Sequence, residues 1–495
     1  MGGFINARSR LARALSANQP GSSTPHTMVV VPSYSVSDSL LAHYGHRIPA
    51  LEHRFLTSLL MLPRVPASHI LFITSLHPGP EVLDYYLSLM PPEHRRDAAA
   101  RIDILEVPDP TPRSVSAKLL DRPDLIAEAR ELTRGRVAFI EPWNVTKVET
   151  KLARRLGMPM NGTAPHLWPL GFKSNGRRIM RSAGVPLPLG HEDVQSVDGI
   201  VAAALAIREQ RPEAAGVVVK TDNSGTGDGN RTIRFTPTDT TEDLRAAVES
   251  FDPLFLADVP LGVVVEELVV GTEVTSPSVQ VDIAPGGHVE VLSTHEQMLG
   301  GDSGQVYLGC EFPAAPDYGF KLAAYGRAVG RILADQGALG RLCVDFVAAR
   351  SGSGRWRVYG LEINLRKSGT THPYSVLRHL APGRYDTRTG RWITEDGEER
   401  CYRATDNLVD PAWHGRPAEE VIHAIRSAGL DFDPQTRTGV VLHMFSGLSI
   451  DGRLGLTALG TSSEHAAQIY DAAVLALSVP AVSAGATATD AATST

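Results

Sequence analysis

The stretch that decides the fold runs from Leu342 to Pro373 and reads LCVDFVAAR-SGSG-RWRVYGLEINLRKSGTTHP. Two apolar, β-branched runs flank a cluster of small residues, Ser351–Gly354, and this pattern predicts a β-hairpin. A tight turn at the cluster places Asp345 of the first strand opposite Gly360 of the second. The hairpin therefore decides which side chains of the two strands lie close together.

The polar side chains of this hairpin fall on one face. Side chains alternate along a strand with a period of two, so Glu362, Asn364 and Arg366 share a face with Asp345. In the predicted register, Asp345 and Glu362 are diagonal neighbours, close enough to share a divalent ion. Two carboxylates and an amide oxygen are the kind of hard ligands that suit Mg²⁺.

The alternative interpretation of this pattern is a strand pair whose polar face is merely solvated. The opposite face is apolar and consists of Leu342, Val344, Phe346, Leu361, Ile363 and Leu365. We therefore predict that the hairpin is central in the fold, where inward-facing charges usually serve a function.

The composition excludes several classes of protein. The chain has 495 residues, of which 42% are hydrophobic and 21% charged, as in an ordinary globular protein of several domains. A net charge of −7 argues against binding to nucleic acid or to an anionic membrane surface. The three cysteines (Cys310, Cys343 and Cys401) lack metal-ligand spacing and favour a reduced, cytoplasmic setting. No apolar run approaches the roughly 20 residues that span a bilayer.

The first part of the chain alternates strands with helices. Short apolar strands are predicted at residues 28–31, 70–74, 102–107 and 137–140. This alternation predicts an open parallel sheet that is covered on both faces. Residues 1–27 lack the apolar core of a signal peptide, and we predict a disordered arm there. The last residues, 481–495, are interpreted as a tail.

Two lysines lie next to candidate anion-binding segments. Lys173 begins a helix that we predict to be capped by Asn175. A cation at a helix start is electrostatically unfavourable, so its amine points either at an anion or into solvent. Lys220 ends the first strand of GVVVK-TDNSGTGDGN-RTIRF, residues 216–235. A strand rather than a helix follows the glycines, so the loop is either a phosphate-wrapping connection between two strands or a long turn.

Two later segments carry further expectations. Residues 263–275, VVVEELVVGTEVT, predict a strand and a short linker whose backbone suits the edge of a base. Glu273, beyond the linker, can accept hydrogen bonds from ribose hydroxyls. Residues 401–475 predict a last small α/β unit, in which His443 is interpreted as a core histidine with a backbone partner.

Taken in order, these pieces resemble the ATP-grasp carboxylate–amine ligases over about residues 170–375. The form EINLRKSGTTHP is similar to the subgroup that includes the peptide ligase of pheganomycin biosynthesis, which extends the resemblance to about residues 28–475. The resemblance implies an N-terminal open parallel α/β domain (28–165), a two-lobed ATP-grasp domain with antiparallel sheets (166–395) and a small C-terminal α/β domain (396–480).

The resemblance also implies functional residues. The nucleotide-binding residues would be Lys173, Lys220, Ser224, Gly225, Thr226, Gly227, Gly229, Glu266, Glu267, Leu268, Val269 and Glu273. The ligands of two Mg²⁺ ions would be Asp345, Glu362 and Asn364. The family's usual arginine two residues before the triad aspartate is replaced by Cys343, so Arg366 or Arg341 would supply the catalytic charge alongside Lys220.

The implied activity is ATP-dependent formation of an amide bond, through an acyl phosphate, between amino acid or peptide substrates. The implied setting is natural-product biosynthesis in the cytoplasm, without nucleic acid or membrane partners, and a homodimer is the assembly to test. Two alternatives stay open: an ATP-grasp ligase with a thiol or non-peptide acceptor, and a non-catalytic nucleotide-binding regulator.

Overall fold

A computed structural model of the chain describes residues 2–36, 41, 45–223, 229–300, 306–352 and 354–478, with the side chains of residues 2–6 outside the description. The first sheet contains β1 (His26–Val31), β2 (Ser68–Thr74), β3 (Ile102–Glu106) and β4 (Val137–Pro142). Its strand order is β3-β2-β1-β4. All its pairs are parallel, which confirms the predicted parallel sheet.

Helices cover both faces of this parallel sheet. They are α1 (Gly2–Ala17), α2 (Ile48–His53), α3 (Pro80–Ser88), α4 (Pro92–Ala99), α5 (Val115–Leu120), α6 (Pro123–Leu132) and α7 (Lys147–Leu156), with a 3-10 helix at Arg54–Met61. Alternate residues of β1 enter two different cores, with Met28 and Val30 on one side and Val29 and Val31 on the other. A strand buried on both faces explains why its sequence is continuously apolar.

A four-stranded antiparallel sheet forms the small lobe of the next unit. It contains β5 (Gly190–Val194), β6 (Gly216–Thr221), β7 (Asn230–Arg234) and β8 (Val263–Glu267), in the order β5-β8-β6-β7. Its helices are α8 (Lys173–Ser182), α9 (Val197–Gln210), α10 (Thr241–Glu249) and α11 (Pro253–Asp258). The strands β6 and β7 pair in an antiparallel manner on either side of the glycine loop, as predicted.

A ten-stranded sheet carries the remainder of the described chain. Its strands are β9 (Glu273–Ile283), β10 (Val289–Gly300), β11 (Val306–Phe312), β12 (Gly340–Arg350), β13 (Trp356–Asn364), β14 (Gly383–Asp386), β15 (Arg391–Thr394), β16 (Glu399–Val409), β17 (Gly439–His443) and β18 (Arg453–Gly460). The helices of this unit are α12 (Gly319–Asp335), α13 (Thr371–Leu380), α14 (Ala418–Ser427), α15 (Ser446–Asp451) and α16 (Ser463–Ser478). None of the helices in the described ranges is long and apolar enough to cross a membrane.

The order of this sheet changes the predicted position of the hairpin. The path runs β13-β12-β9-β10-β11-β16-β15-β14, so β13 is an edge strand and the prediction of a central hairpin is wrong. The apolar face of this edge strand is nevertheless covered, because α8 packs on it: a Cβ atom at Gly176 would lie 3.8 Å from the Ile363 side chain. The apolar faces of β9, β12 and β13 pack with α12 and α8 in one core.

The register of the hairpin also differs from the prediction. The pairs between the turn and Phe346 are already shifted by one residue, so Gly360 lies opposite Phe346, and a β-bulge between Asp345 and Phe346 adds a second shift that places Asp345 opposite Glu362. A bulge inserts one extra residue into one strand and so shifts all later pairs. The two carboxylates are therefore direct neighbours across the strands rather than diagonal ones.

The two ends of the chain are more integrated than the sequence suggests. The predicted disordered arm is wrong over residues 2–17, because these form α1, in which Leu11 and Ala14 are 1% and 0% exposed. The C-terminal strands β16, β17 and β18 do not form a sheet of their own, since β16 pairs with β11 and extends the large sheet. Residues 481–495 lie outside the described part of the chain.

Candidate active site

The predicted metal ligands converge at one end of the hairpin. Asn364 donates from Nδ2 to Oδ2 of Asp345 at 2.8 Å. The Oδ1 atom of Asp345 accepts from Nε2 of Gln297 at 3.2 Å and from the Cys343 thiol at 3.3 Å. Burial raises the pKa of the Cys343 thiol well above its ordinary value, which keeps the thiol a neutral donor. Asp345 is thus oriented by side chains from three strands.

The electrostatics of this group suit a cation. Burial first, and the charge of Glu362 second, raise the pKa of Asp345 to about 6. A divalent ion between the two carboxylates would offset both effects. Two carboxylates and an amide oxygen also match the hard ligands of Mg²⁺. The residues present therefore fit the ion that the sequence implies.

Lys173 connects this group to α8. It is the first residue of the helix, is 4% exposed, and places Nζ 3.7 Å from Oε2 of Glu362. Asp222 binds the backbone at the start of the helix. Its carbonyl accepts a hydrogen bond from the amide of Lys173 at 3.0 Å, and its carboxylate accepts one from the amide of Ser174 at 2.6 Å. The predicted cap at Asn175 is wrong because this residue lies inside α8. Acidic groups around Lys173 offset the unfavourable position of a cation at a helix start.

Lys220 takes part in a second buried ion group. Its ammonium pairs with Oε2 of Glu266 on β8, and Oε1 of Glu266 pairs with Arg177 of α8 at 2.5 Å. Arg177 is 1% exposed and also donates to Glu192 at 2.8 Å and to the carbonyl of Pro188 at 3.0 Å. Both carboxylate oxygens of Glu266 are therefore occupied. A contact from Glu266 to a nucleotide base would require one of these pairs to open.

The linker after β8 is partly committed to the fold. The amides of Glu267 and Leu268 donate to the carbonyls of Leu189 and Gly216, at 2.8 and 2.9 Å. The Glu267 carboxylate pairs with Arg211 of the segment after α9, at 2.5 Å. These two amides are therefore not donors to a bound base.

Beyond the linker, Val269 is half-buried and Glu273 is exposed at the start of β9. The Glu273 carboxylate lies 3.4 Å from Nη1 of Arg350. An exposed carboxylate in this position remains accessible to a ligand.

Part of the predicted phosphate loop lies outside the described residues. This applies to Ser224, Gly225, Thr226 and Gly227. Gly229, on the far side of the loop, accepts from the amide of Thr221 at 2.9 Å. The loop therefore leaves and rejoins the small lobe beside Lys220.

Arg366 and Arg341 approach a pocket beside the metal-ligand group. The guanidinium of Arg366 lies 5.0 Å from the ring centre of Trp143, and its charge acts to lower the pKa of Asp345. Arg341 is opposite Asp282 of β9 and lies over the ring of Tyr374 at 5.5 Å. The pocket is lined by Pro142, Trp143, Asn144, Val145, Asn161, Gly162, Thr163, Arg341, Leu365, Arg366 and Lys367.

Known structures share this architecture. A biotin carboxylase from Campylobacter jejuni in complex with β-γ-ATP superimposes with a TM-score of 0.54, covering 91% of this chain and 94% of that one at 13% identity. N5-carboxyaminoimidazole ribonucleotide synthetase in its ADP complex gives a TM-score of 0.51, with 92% and 97% coverage at 14% identity. At these identities the likeness concerns the fold.

Sequence comparison decides the family. Residues 420–473 match the family model described as the PGM1 C-terminal domain. L-propargylglycine–L-glutamate ligase of Streptantibioticus cattleyicolor is 30% identical over 498 residues, which cover 96% of this chain and 98% of the relative. The chain belongs to the ATP-grasp carboxylate–amine ligases.

Sequence reasoning missed several residues of this ligase that contact the candidate site. Arg177 lies one helical turn after Lys173, so the same-face spacing was its only signal. Gln297, which contacts Asp345, lies on β10, and Trp143, which contacts Arg366, follows β4, so both are distant from the hairpin in sequence. Lys367 pairs with Glu141 at 2.6 Å and so attaches the segment after the hairpin to β4. These long-range contacts leave no local pattern.

Proposed function

We propose that this ATP-dependent ligase activates the carboxylate of an amino acid or short peptide as an acyl phosphate and transfers it to the amine of a second such substrate. The observation that carries the proposal is the convergence of Asp345, Glu362 and Asn364 with Lys173 on one side and Arg366 on the other. Phosphoryl transfer to a carboxylate needs acidic residues that hold a metal ion and a cation that binds the carboxylate of the substrate.

In this proposal the small lobe holds ATP. Lys173 and Lys220 are buried at positions from which their ammonium groups can turn from Glu362 and Glu266 to phosphate oxygens. Asp345, Glu362 and Asn364 would hold Mg²⁺, which would offset the negative charge that develops during phosphoryl transfer. Glu273, exposed at the start of β9, is assigned to the ribose hydroxyls.

The chain's own residues then position the reacting groups. Arg366 binds the donor carboxylate, and its guanidinium stays close as the amine attacks the acyl phosphate, a tetrahedral oxyanion forms and phosphate leaves. Exclusion of water from this site would protect the acyl phosphate from hydrolysis. Much of the catalysis is therefore positioning and electrostatic stabilisation.

The pocket beside the triad supports a small, anionic substrate. Arg341, Arg366 and Lys367 line this pocket, and Glu141 pairs with Lys367. The relative from S. cattleyicolor is named for two amino acids, L-propargylglycine and L-glutamate. Amino acids or short peptides of a natural-product pathway are therefore the proposed substrates. The proposal also includes dependence on Mg²⁺ and assembly as a homodimer.

The competing activity is ligation to a thiol or to a non-peptide amine. Both activities share the acyl phosphate, so they differ only in the acceptor. A carboxylate on the acceptor would match the positive pocket, which favours amino acid acceptors over simple thiols or amines.

Mass spectrometry with pairs of substrates tests the proposal. The ligase is incubated with ATP, Mg²⁺ and pairwise mixtures of amino acids and dipeptides, and ADP and product masses are recorded. We expect ADP release that requires both substrates, and a product mass equal to their sum less one water. Hydroxylamine should trap the acyl phosphate as a hydroxamate when the amine is omitted. Formation of AMP, or of a thioester in preference to an amide, would contradict the proposal.

A further inference from the structure

A buried carboxylate joins three parts of the chain far from the phosphate-binding segments. Asp406 of β16 is 5% exposed. Its Oδ1 atom lies 2.8 Å from Nε2 of His372 and 3.7 Å from Nδ1 of His443, and its Oδ2 atom lies 2.6 Å from Nη1 of Arg54. Burial acts to raise the pKa of Asp406, but pairing with His372 and Arg54 holds it well below its ordinary value.

The charge at this group is already balanced. The described part of the chain contains one group of three potential metal ligands of the His, Cys, Asp and Glu types, and it consists of His372, Asp406 and His443. Burial lowers the pKa of both histidines, to about 3 for His443, so both are neutral at pH 7. The Arg54 cation thus balances the Asp406 anion, and a metal ion there would face the Arg54 guanidinium a few ångströms away. We therefore interpret Asp406 and Arg54 as a buried ion pair, with the two histidines beside it.

Arg54 extends from this ion pair towards the candidate active site. Its other terminal nitrogen, Nη2, donates to the hydroxyl of Tyr34, which follows β1. The Tyr34 ring stacks on Trp143, which follows β4, with ring centres 4.3 Å apart and an angle of 23° between the planes. The guanidinium of Arg366 also lies over the Trp143 ring, 5.0 Å from its centre. A continuous series of contacts therefore runs from Asp406 to Arg366.

Each contact in this series constrains the next one. An ion pair and a hydrogen bond fix the rotamer of Arg54, and the hydrogen bond fixes the edge of the Tyr34 ring. A stacked ring pair fixes the plane of Trp143, and a cation prefers the face of an indole to its edge. A guanidinium that must bind a carboxylate through both nitrogens tolerates little misplacement.

We propose that Asp406, Arg54, Tyr34 and Trp143 form a positioning relay that holds Arg366 in its catalytic orientation, so that the C-terminal strands set the rate of amide formation. The inference rests on the proposed function, because it assigns to Arg366 the binding of the donor carboxylate. It deepens that function by assigning positioning residues to the reaction, and it gives the C-terminal part of the ligase a role beyond stability.

Substitution at the far end of the relay tests the inference. Asp406→Asn keeps the shape of the side chain and removes its charge. We expect kcat for amide formation to fall by about tenfold, within the range by which residues along a coupled network modulate a distant site. The KM for ATP should not change. Tyr34→Phe keeps the stacked ring, removes the bond to Arg54 and should act in the same direction, which covers the case in which Asp406→Asn does not fold.

A matched control separates positioning from stability. The pair formed by Arg47 and Asp451, at 2.9 Å, also joins the N-terminal part of the chain to the C-terminal part, at α15, but does not lead to Arg366. Asp451→Asn should therefore leave kcat at the wild-type value. Equal losses of kcat in Asp406→Asn and Asp451→Asn would overturn the relay.

A double-mutant cycle and a structure complete the test. Arg366→Lys alone should cut amide formation by on the order of a hundredfold. In that background Asp406→Asn should cost less than about twofold more, because both changes act through one group; a full additional loss would overturn the relay. A crystal structure of the Asp406→Asn protein in which Arg366 still lies over Trp143 would overturn it too. That structure tests positioning even if the wild type forms no amide, an outcome that would instead count against the proposed function.

Discussion

At the scale of single residues, the proposed metal ligand Glu362 can be changed without loss of shape. Glu362→Gln keeps the volume and removes one ligand charge. We expect ADP release to become undetectable with Mg²⁺ at millimolar concentration, because binding of the metal-bridged phosphates depends on this charge. The melting temperature should stay near the wild-type value, since the side chain is partly exposed.

The control for this substitution is Glu311→Gln. Glu311 is a partly buried glutamate of the same sheet, 3.5 Å from Arg403. The Glu311→Gln variant should turn over at the wild-type rate. If Glu362→Gln matched it, the carboxylate would not be a metal ligand.

Lys220 allows a second test at this scale. Lys220→Ala should raise the KM for ATP and also lower kcat, because the proposed phosphate contact exists in both the ground state and the transition state. Glu266 keeps its ion pair with Arg177 in this variant, so the small lobe should fold. Calorimetry with ATP measures the loss of affinity directly.

A buried lysine elsewhere provides the comparison for Lys220. Lys118 is 3% exposed and lies in the N-terminal domain, where it donates to Ser75 and to the carbonyl of Asp109. Lys118→Ala should leave ATP affinity unchanged. Wild-type affinity in Lys220→Ala would assign that lysine to the fold alone.

The residues that sequence reasoning found share a property. Asp345, Glu362 and Asn364 could be placed on one face because strand periodicity is local information. Their convergence is observed, whereas their ligand role stays a prediction. Arg177 and Trp143 could not be found in this way, since each meets its partner only through tertiary packing.

At the scale of elements, α1 shows where composition misleads. Residues 2–17 contain three arginines and no acidic side chain, yet Leu11 and Ala14 enter the core that also holds Met28. Leu11→Ala should lower the free energy of unfolding by about 2 to 5 kcal/mol, the usual cost of a buried leucine. The measurement is the urea midpoint of unfolding.

An exposed residue of the same helix serves as the control for Leu11. Arg13 is exposed on the other face, and Arg13→Ala should change stability by less than about 0.5 kcal/mol. Equal midpoints for Leu11→Ala and Arg13→Ala would mean that α1 does not dock in solution.

The hairpin shows a different limit at the element scale. Its two strands and its turn follow from the sequence, because alternation and small residues are local signals. Its register does not, since the bulge at Asp345 depends on how the edge strand packs under α8. The parallel direction of β1 to β4, by contrast, could be predicted, because a strand that is buried on both faces has a distinctive, continuously apolar sequence.

At the scale of the whole molecule, the C-terminal strands belong to the sheet that carries the candidate site. β16 pairs with β11, and Asp406 of β16 contacts Arg54 of the N-terminal domain. Sequence reasoning predicts a separate small unit there, because it detects strands and helices but not the partners of an edge strand. Fold class could thus be predicted, while the joining of the units could not.

Burial of a charge in the N-terminal domain predicts how stability depends on pH. Glu52 is 0% exposed, and burial raises its pKa from 4.5 to about 7, although bonds from Ser75 and Thr74 oppose the shift. The folded protein therefore holds the proton more tightly than the unfolded chain. The resulting stabilisation is complete below pH 4.5, declines as the pH rises and is lost above about pH 7.

The Glu52→Gln substitution isolates this contribution to stability. At about 1.4 kcal/mol per pKa unit, the shift from 4.5 to about 7 corresponds to about 3 kcal/mol. Between pH 4.5 and 7.5 the free energy of unfolding of the wild type should fall by that amount relative to Glu52→Gln. The neutral amide of the variant keeps an oxygen for the bonds from Thr74 and Ser75 but does not titrate. Urea midpoints over this range measure the difference. The exposed Glu93→Gln variant should follow the wild type, because water solvates that charge in both states. Parallel curves for wild type and Glu52→Gln would show that the Glu52 carboxyl reaches solvent or a cation in the folded protein.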